Sequence, residues 1–268
     1  MKRQRVCAPH IPTLKDVHHG TRWSLCLRVY HKFHVERIGH GRKRVNFVLL
    51  DAEGTKMAAT IYDDQVDRLD PLLKEGIAYY VSMMSVEPIS STQRRMFADN
   101  PYECHFTSVT QVFEMRNMGE GTIPFFPPFL PCDRIFPSTL YNDIYVDVIG
   151  MVLYVSSVAF ADGIYNRRIP FRNLLLMDDK FNFVNVCVKD KMESGHTRAW
   201  ARSAEECTIV IVTMLRVKHA GKYDMLVVVC SFSSCNQCLH TTTFSRVHFG
   251  PDVDVARQMK KRINNDLS

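Results

Sequence analysis

The hydrophobic pattern of residues 45–85 places the strongest constraint on the fold, because its period changes twice in a fixed order. The order is strand, tight turn, strand, helix and strand, at residues 45–50, 51–54, 55–62, 64–74 and 77–85. A helix that bridges the third and fourth strands is typical of the five-stranded OB barrel. The sequence therefore predicts an OB barrel in the first half of the chain.

A related arrangement follows in residues 144–230, and a chain of 268 residues is long enough for two domains. We predict an all-β protein with two tandem five-stranded antiparallel OB barrels, short bridging helices and a C-terminal helix. Many Gly and Pro residues at 116–132 indicate a linker. The predicted segments are a basic N-terminal arm (1–14), the first OB fold (15–115), the linker (116–132), the second OB fold (133–250) and the helix (251–268).

The positive charge is concentrated at the N-terminus. Residues 1–44 contain eleven Lys or Arg and two Asp or Glu, whereas the whole chain has a formal net charge of +6. Such asymmetry indicates a polyanionic partner, and without a lipid anchor nucleic acid is favoured over membrane; a merely solubilising surface is the alternative. The apolar stretch at 144–161 contains Asp147 and is interpreted as a buried strand. No secretion signal is visible, so the nine cysteines are expected to be reduced thiols.

Several motifs resemble the large subunit of replication protein A, in particular its two central OB folds that bind single-stranded DNA. They are LLDAEGTKMAATIY at 49–62, QVD and PLL within 65–73, YYVS at 79–82, VDVIGMV at 146–152 and RNLLLMDD at 172–179. The resemblance covers about residues 15–264 and is especially close to divergent plant paralogues. It implies a nuclear protein that grips single-stranded DNA in replication, repair or recombination, with protein partners of a replication protein A-like complex.

The resemblance also suggests which residues contact DNA. It places a stacking aromatic at Tyr62 and a second near Arg95, with Phe97 on the same strand face as an alternative; a half-buried barrel aromatic is the other interpretation of Tyr62. The cations expected to hold phosphates around the two loops of the first barrel are Lys32, Arg37, Arg42, Lys43, Arg44, Arg94 and Arg95.

The second unit departs from this pattern, since Val188 or Lys189 stands where the family has an aromatic. Stacking by this unit is therefore in doubt. Cations that remain available for phosphates are Arg167, Arg168, Arg172, Lys180 and Lys189.

One cluster has metal-like spacing, with Cys230, Cys235, Cys238 and His240 within eleven residues. Structural zinc usually takes two short ligand pairs from separate turns, so free thiols are favoured and zinc is the alternative. No phosphate-binding GxxxxGK loop, HExxH or GxSxG motif is present, so we expect neither an enzyme nor a cofactor. The rival functions are an OB scaffold for protein assembly and an RNA-binding OB protein.

Overall fold

The structure is a computed structural model that describes residues 12–89, 100–116, 123–138, 145–162, 167–219 and 237–266. The chain divides into two units between residues 128 and 129, a point that lies inside the predicted linker. Each unit contains a barrel of its own with a separate hydrophobic core.

The first unit follows the strand order expected from the sequence. Its elements are β1 (Gly20–Lys32), β2 (Glu36–Ile38), β3 (Arg42–Leu50), β4 (Lys56–Tyr62), α1 (Asp64–Leu69), β5 (Ala78–Pro88), β6 (Tyr102–Phe106) and β7 (Gln111–Glu114). The barrel closes through β1, β3, β4, β6 and β5, which pairs with β1 again. All of these pairs are antiparallel except β4 with β6, which are parallel. The predicted OB barrel is thus confirmed, with one parallel pair at its closure.

The bridging helix is shorter than the predicted helix over 64–74. Helix α1 ends at Leu69, and the next residues form turns in which the amides of Leu72 and Leu73 donate to the Leu69 carbonyl. Pro71 has no N–H to continue an α-helical ladder, which explains the early end. Leu73 nevertheless remains buried in the barrel core, so the apolar face predicted for this segment is still used.

Asp51 organises the turn between β3 and β4. Its carboxylate accepts hydrogen bonds from the amides of Glu53 and Thr55 at 3.0 and 2.8 Å, and from the amide of Leu14 at 2.7 Å. Leu14 is fully buried in the first core. The boundary drawn for the N-terminal arm at residue 14 is therefore wrong, because Leu14 already belongs to the barrel.

The second unit repeats the barrel. Its elements are α2 (Cys132–Ser138), β8 (Tyr145–Val155), β9 (Ala159–Asp162), β10 (Arg168–Met177), β11 (Phe183–Lys189), α3 (Lys191–Ser194), α4 (Thr197–Glu205), β12 (Ile209–His219), β13 (Gln237–His240), β14 (Arg246–Phe249) and α5 (Asp254–Asp266). The barrel closes through β8, β10, β11, β13 and β12, with β11 and β13 parallel. The bridging helix predicted over 192–206 is a pair of short helices, α3 and α4.

Other elements of the second unit match the predicted pattern. The apolar stretch at 144–161 contains β8, and none of the helices in the described ranges is both long and apolar enough to span a bilayer. Helix α5 packs Met259 and Ile263 onto Met151 and Met177 at the outer surface of the barrel. The strand predicted at 225–230 lies outside the described residues.

Asp178 repeats the role of Asp51 in the second barrel. Its carboxylate accepts hydrogen bonds from the amides of Lys180, Asn182 and Cys132, each at 2.9 Å. Burial raises the pKa of Asp178, but the hydrogen bonds from Cys132, Asn182 and Lys180 outweigh it, so its pKa lies below the ordinary value. Both barrels therefore use one aspartate to join the turn after the second barrel strand to the N-terminal edge of the unit.

Candidate nucleic-acid interface

Tyr62 lies on the outer face of the first barrel. It is the last residue of β4, and the alternation of that strand turns Ala59 and Ile61 into the core and Tyr62 away from it. Its ring is parallel to that of His105, at a centroid distance of 6.1 Å and an interplanar angle of 8°. The guanidinium carbon of Arg42 lies 5.6 Å from the Tyr62 ring centroid. This half-buried, outward position is compatible with base stacking, and the stacking role of Tyr62 stays a prediction.

His105 is a neighbour of Tyr62 that the sequence did not single out. The parallel pairing of β4 with β6 places His105 opposite Thr60, two residues before Tyr62. The His105 Nε2 atom lies 2.8 Å from Glu103 Oε1 and 3.9 Å from Glu87 Oε2. The alternation along β6 points His105 outward, but the sequence did not show that β6 pairs with β4. His105 and its two carboxylates border the tyrosine on the side away from β3.

The basic residues at the start of β3 all have acidic partners. Arg42 Nε lies 3.0 Å from Asp63 Oδ2, Lys43 Nζ lies 2.8 Å from Asp67 Oδ1, and Arg44 is 2.6 Å from Glu36 Oε2. The register places Arg44 directly opposite Tyr62. Because exposed ion pairs contribute only about 0–1 kcal/mol, a phosphate can replace these carboxylates as a partner. Arg42 and Arg44 therefore border Tyr62, whereas Lys43 pairs with helix α1. The charge of all three cations is partly neutralised in the free protein, and their phosphate contacts stay a prediction.

Lys32 and Arg37 have different surroundings. The Lys32 ammonium is 2.9 Å from Asp70 Oδ1 and donates to the carbonyls of Asp70 and Leu73 at 2.6 and 2.9 Å. An ammonium has three donors, so Lys32 is committed to the segment after α1. Arg37 is exposed on β2 opposite Lys43. The remaining predicted contacts of the first barrel, at Arg94, Arg95 and Phe97, lie outside the described residues.

The third strand of the second barrel offers no aromatic at the corresponding position. Val188 is fully buried in the second core, and Lys189 follows it on the opposite, outward side. Lys180 lies in the turn that leads into β11, at the other end of that strand from Lys189. The two lysines are separated by the length of a seven-residue strand, so they cannot bind the same phosphate.

The arginines of the second barrel divide into buried and exposed. Arg172 is buried, its Nε 2.9 Å from Glu193 Oε1, so the phosphate contact predicted for it is wrong: its charge is neutralised inside the protein. Arg167 forms an exposed pair with Asp190 at 2.7 Å. Arg168 is exposed at the start of β10.

The predicted cysteine cluster lies only partly within the described residues. Cys238 Sγ lies 2.9 Å from His240 Nε2, and both side chains are buried. Cys230 and Cys235 lie outside the described residues. Within the described ranges, no group of three or more potential metal-ligating side chains is found.

Comparisons with known proteins connect both units to one group of proteins. Residues 15–136 match the family "Domain of unknown function DUF223", and residues 130–225 match "Domain of unknown function (DUF8448)". The chain is 24% identical over 200 residues to a 70 kDa DNA-binding subunit of replication protein A from Oryza sativa subsp. japonica, covering 73% of this chain and 31% of that protein. It is 25% identical over 186 residues to the 70 kDa DNA-binding subunit from Mus musculus, covering 63% and 27%.

A solved structure shows the same fold. A chain of a replication protein A heterotrimer bound to ssDNA superimposes with a TM-score of 0.53 at 20% sequence identity, covering 96% of this chain and 55% of that one. The resemblance seen in the sequence is thereby confirmed: the chain is a divergent protein similar to replication protein A large subunits, plant ones included. It spans about a third of the length of these curated relatives.

Proposed function

We propose that this protein binds single-stranded DNA, chiefly through its first barrel, and acts in replication, repair or recombination. The observation that carries the proposal is Tyr62, an outward aromatic at the end of β4 with Arg42 beside its ring and Arg44 across from it. Base stacking on an aromatic face, together with cations along the backbone, is the general basis of single-strand binding by OB folds. The relatives, which are named as DNA-binding proteins, support the same proposal.

The proposal includes where and with what the protein acts. The protein acts in the nucleus in this proposal, because DNA metabolism takes place there, and it works with protein partners; the heterotrimer among its structural relatives supports the latter. It binds without catalysing a reaction, since its candidate site consists of stacking and phosphate-binding groups. Acidic partners at each β3 cation predict moderate affinity at physiological salt, because a phosphate must displace a carboxylate.

The test is fluorescence anisotropy of the full chain with labelled oligo-dT, duplex DNA and oligo-U. We expect the tightest binding to oligo-dT, and Tyr62→Ala should weaken it by about 1–3 kcal/mol because one base loses its stacking partner. Tyr62→Phe should bind like the parent, since stacking needs the ring and not the hydroxyl. The matched control is Tyr80→Ala, which removes a tyrosine of the same unit that is 41% exposed and packs near Phe113 on β7.

Two results would contradict the proposal. Equal affinity of Tyr62→Ala and the parent for oligo-dT would show that the first barrel does not stack bases at this position. Equal affinity of the parent for duplex DNA and oligo-dT would show binding by charge alone. Preference for oligo-U over oligo-dT would instead assign the site to RNA.

A protein-assembly scaffold is the second candidate function, and one surface of the first barrel favours it. Tyr80 on β5 and Phe113 on β7 are exposed neighbours, with ring centroids 6.5 Å apart. Within the described residues, β7 pairs only with β5 and so forms a sheet edge. An edge with exposed aromatic rings can pair with a strand of another protein. A normal oligo-dT affinity in Tyr80→Ala, together with loss of a protein partner, would assign this surface to assembly.

A further inference from the structure

The hairpin of β9 and β10 in the second barrel carries an exposed aromatic ring beside a cation. Phe160 is 53% exposed, and the guanidinium carbon of Arg168 lies 4.6 Å from its ring centroid. A single exposed apolar side chain is common on protein surfaces and means little by itself. Here the ring is paired with an arginine in a geometry typical of cation–π contacts, which combines the two groups that bind single strands.

The register of the hairpin explains this pairing. Phe160 lies opposite Pro170 and Arg168 lies opposite Asp162, so Phe160 and Arg168 are diagonal neighbours on the same face. Asp162 is the nearest carboxylate in the register, yet Arg168 has no ion pair within the described ranges and its guanidinium lies over the ring. In contrast to the β3 cations of the first barrel, Arg168 therefore needs no carboxylate displaced before it can contact a phosphate.

The position of the hairpin is that of a binding loop. Its strand β9 lies in the connection from β8 to β10, the first and second strands of the second barrel, and this connection flanks the ligand-binding face in OB folds. In the first barrel, Arg42 lies beside Tyr62 at the start of β3, the strand that follows the same connection. At the end of the third strand that corresponds to Tyr62, by contrast, Val188 is buried, so the strand presents Lys189 and no ring there. A ring for stacking in the second barrel has to come from another element.

We infer that Phe160 is a base-stacking residue of the second barrel and that Arg168 neutralises the adjacent phosphate. The second barrel then binds single-stranded DNA through its first loop, whereas the first barrel uses its third strand. This inference rests on the proposed function, because it assigns further residues to the binding of the same ligand. A guanidinium stacked on a ring also offers a flat cationic surface to a neighbouring base.

The test uses the whole 268-residue chain and two lengths of labelled oligo-dT. An oligomer of about 8 nucleotides fits within one OB fold, whereas one of about 30 nucleotides can engage two. Phe160→Ala should lower the affinity for the longer oligomer by about 5- to 160-fold, which corresponds to the loss of one stacked base, and leave the affinity for the shorter oligomer unchanged. Phe160→Trp should retain the parental affinity. The matched control is Phe183→Ala, which removes an equally exposed phenylalanine (55%). Phe183 is the first residue of β11, whereas Lys189 is the last.

Photocrosslinking gives a second readout that does not depend on variants. The parent, bound to a long oligomer containing 5-iodouracil, should crosslink at Phe160, as mapped by mass spectrometry. Absence of that crosslink, parental binding of Phe160→Ala to the long oligomer, or equal weakening by Phe160→Ala and Phe183→Ala would each overturn the inference. These outcomes leave the effect of Tyr62→Ala intact. If the parent itself fails to bind oligo-dT of either length, the proposed function falls and the inference with it.

Discussion

Removing the carboxylate of Asp67 should strengthen DNA binding. Lys43 Nζ lies 2.8 and 2.9 Å from the two carboxylate oxygens of Asp67, and both side chains are substantially exposed. A phosphate that binds Lys43 must replace Asp67 and is also repelled by it. Asp67→Asn keeps the shape of the side chain and removes its charge, so Lys43 becomes available to DNA without a competitor.

The expected gain in affinity follows from the solvent exposure of the Lys43–Asp67 pair. An exposed ion pair contributes about 0–1 kcal/mol, so release of Lys43 should tighten binding by up to about fivefold. A newly neutralised phosphate on a single strand adds about 0.7 to the slope of log K against log salt, so affinity should fall about 2.6-fold more between 50 and 200 mM salt. The stability of the first unit should change by less than about 1 kcal/mol, since only an exposed pair is lost.

The assay is oligo-dT anisotropy across a salt series for the parent, Asp67→Asn, Lys43→Gln and the double variant. Lys43→Gln should cost more affinity in the Asp67→Asn background than in the parent, because only there is Lys43 free of its carboxylate. Glu206→Gln is the matched control: it removes the carboxylate of another exposed pair, with Arg202 on α4, and changes the net charge equally. If Glu206→Gln tightens binding as much as Asp67→Asn, net charge alone is responsible and Lys43 does not contact DNA.

Two further predictions concern the stability of the barrels. Arg28 donates to three backbone carbonyls and lies over the Phe125 ring. Arg28→Met should therefore lower the free energy of unfolding of the first unit by about 2–4 kcal/mol, as measured by urea unfolding. A change below about 0.5 kcal/mol would contradict this. The folded pKa of Asp178 is below its ordinary value of 3.8, so its stabilisation is complete at neutral pH and is lost as the pH falls through the folded pKa. The stability difference between parent and Asp178→Asn, measured from Trp200 fluorescence in a Trp23→Phe background, should therefore be constant near pH 7 and shrink in strong acid; a difference that grows in acid would refute it.

The sequence predicted the elements of the first barrel well because their signals are local. Alternation along β3 and β4, the turn at Asp51 and the helical spacing after Tyr62 each extend over a few residues. The same alternation correctly directs Tyr62 outward. The helix end was missed because the apolar spacing continues past Pro71 to Leu73, whereas the chain forms turns after Leu69.

Long-range partners explain what the sequence did not show. In the sequence, Arg172 is one of several cations that could bind a phosphate. In the structure, helix α3 brings Glu193 close to it, and the buried ion pair neutralises its charge. His105 reaches Tyr62 only through the parallel closure of β4 and β6, a pairing between strands that are distant in the chain. Lys32 donates to the backbone carbonyls of Asp70 and Leu73, and no sequence motif indicates these contacts.

The two barrels place equivalent residues at equivalent points, and this comparison locates where their binding sites diverge. In the first barrel His105 pairs with a residue two positions before Tyr62; in the second, His240 pairs with Cys187, two positions before Lys189. A histidine thus occupies the same position on the parallel strand of both barrels. It stacks on an aromatic in the first, and in the second it is buried with Cys238 beside it. The scaffold is therefore repeated while the surface at the end of the third strand is not, and that is why the ring for the second barrel is to be sought in its first loop, at Phe160.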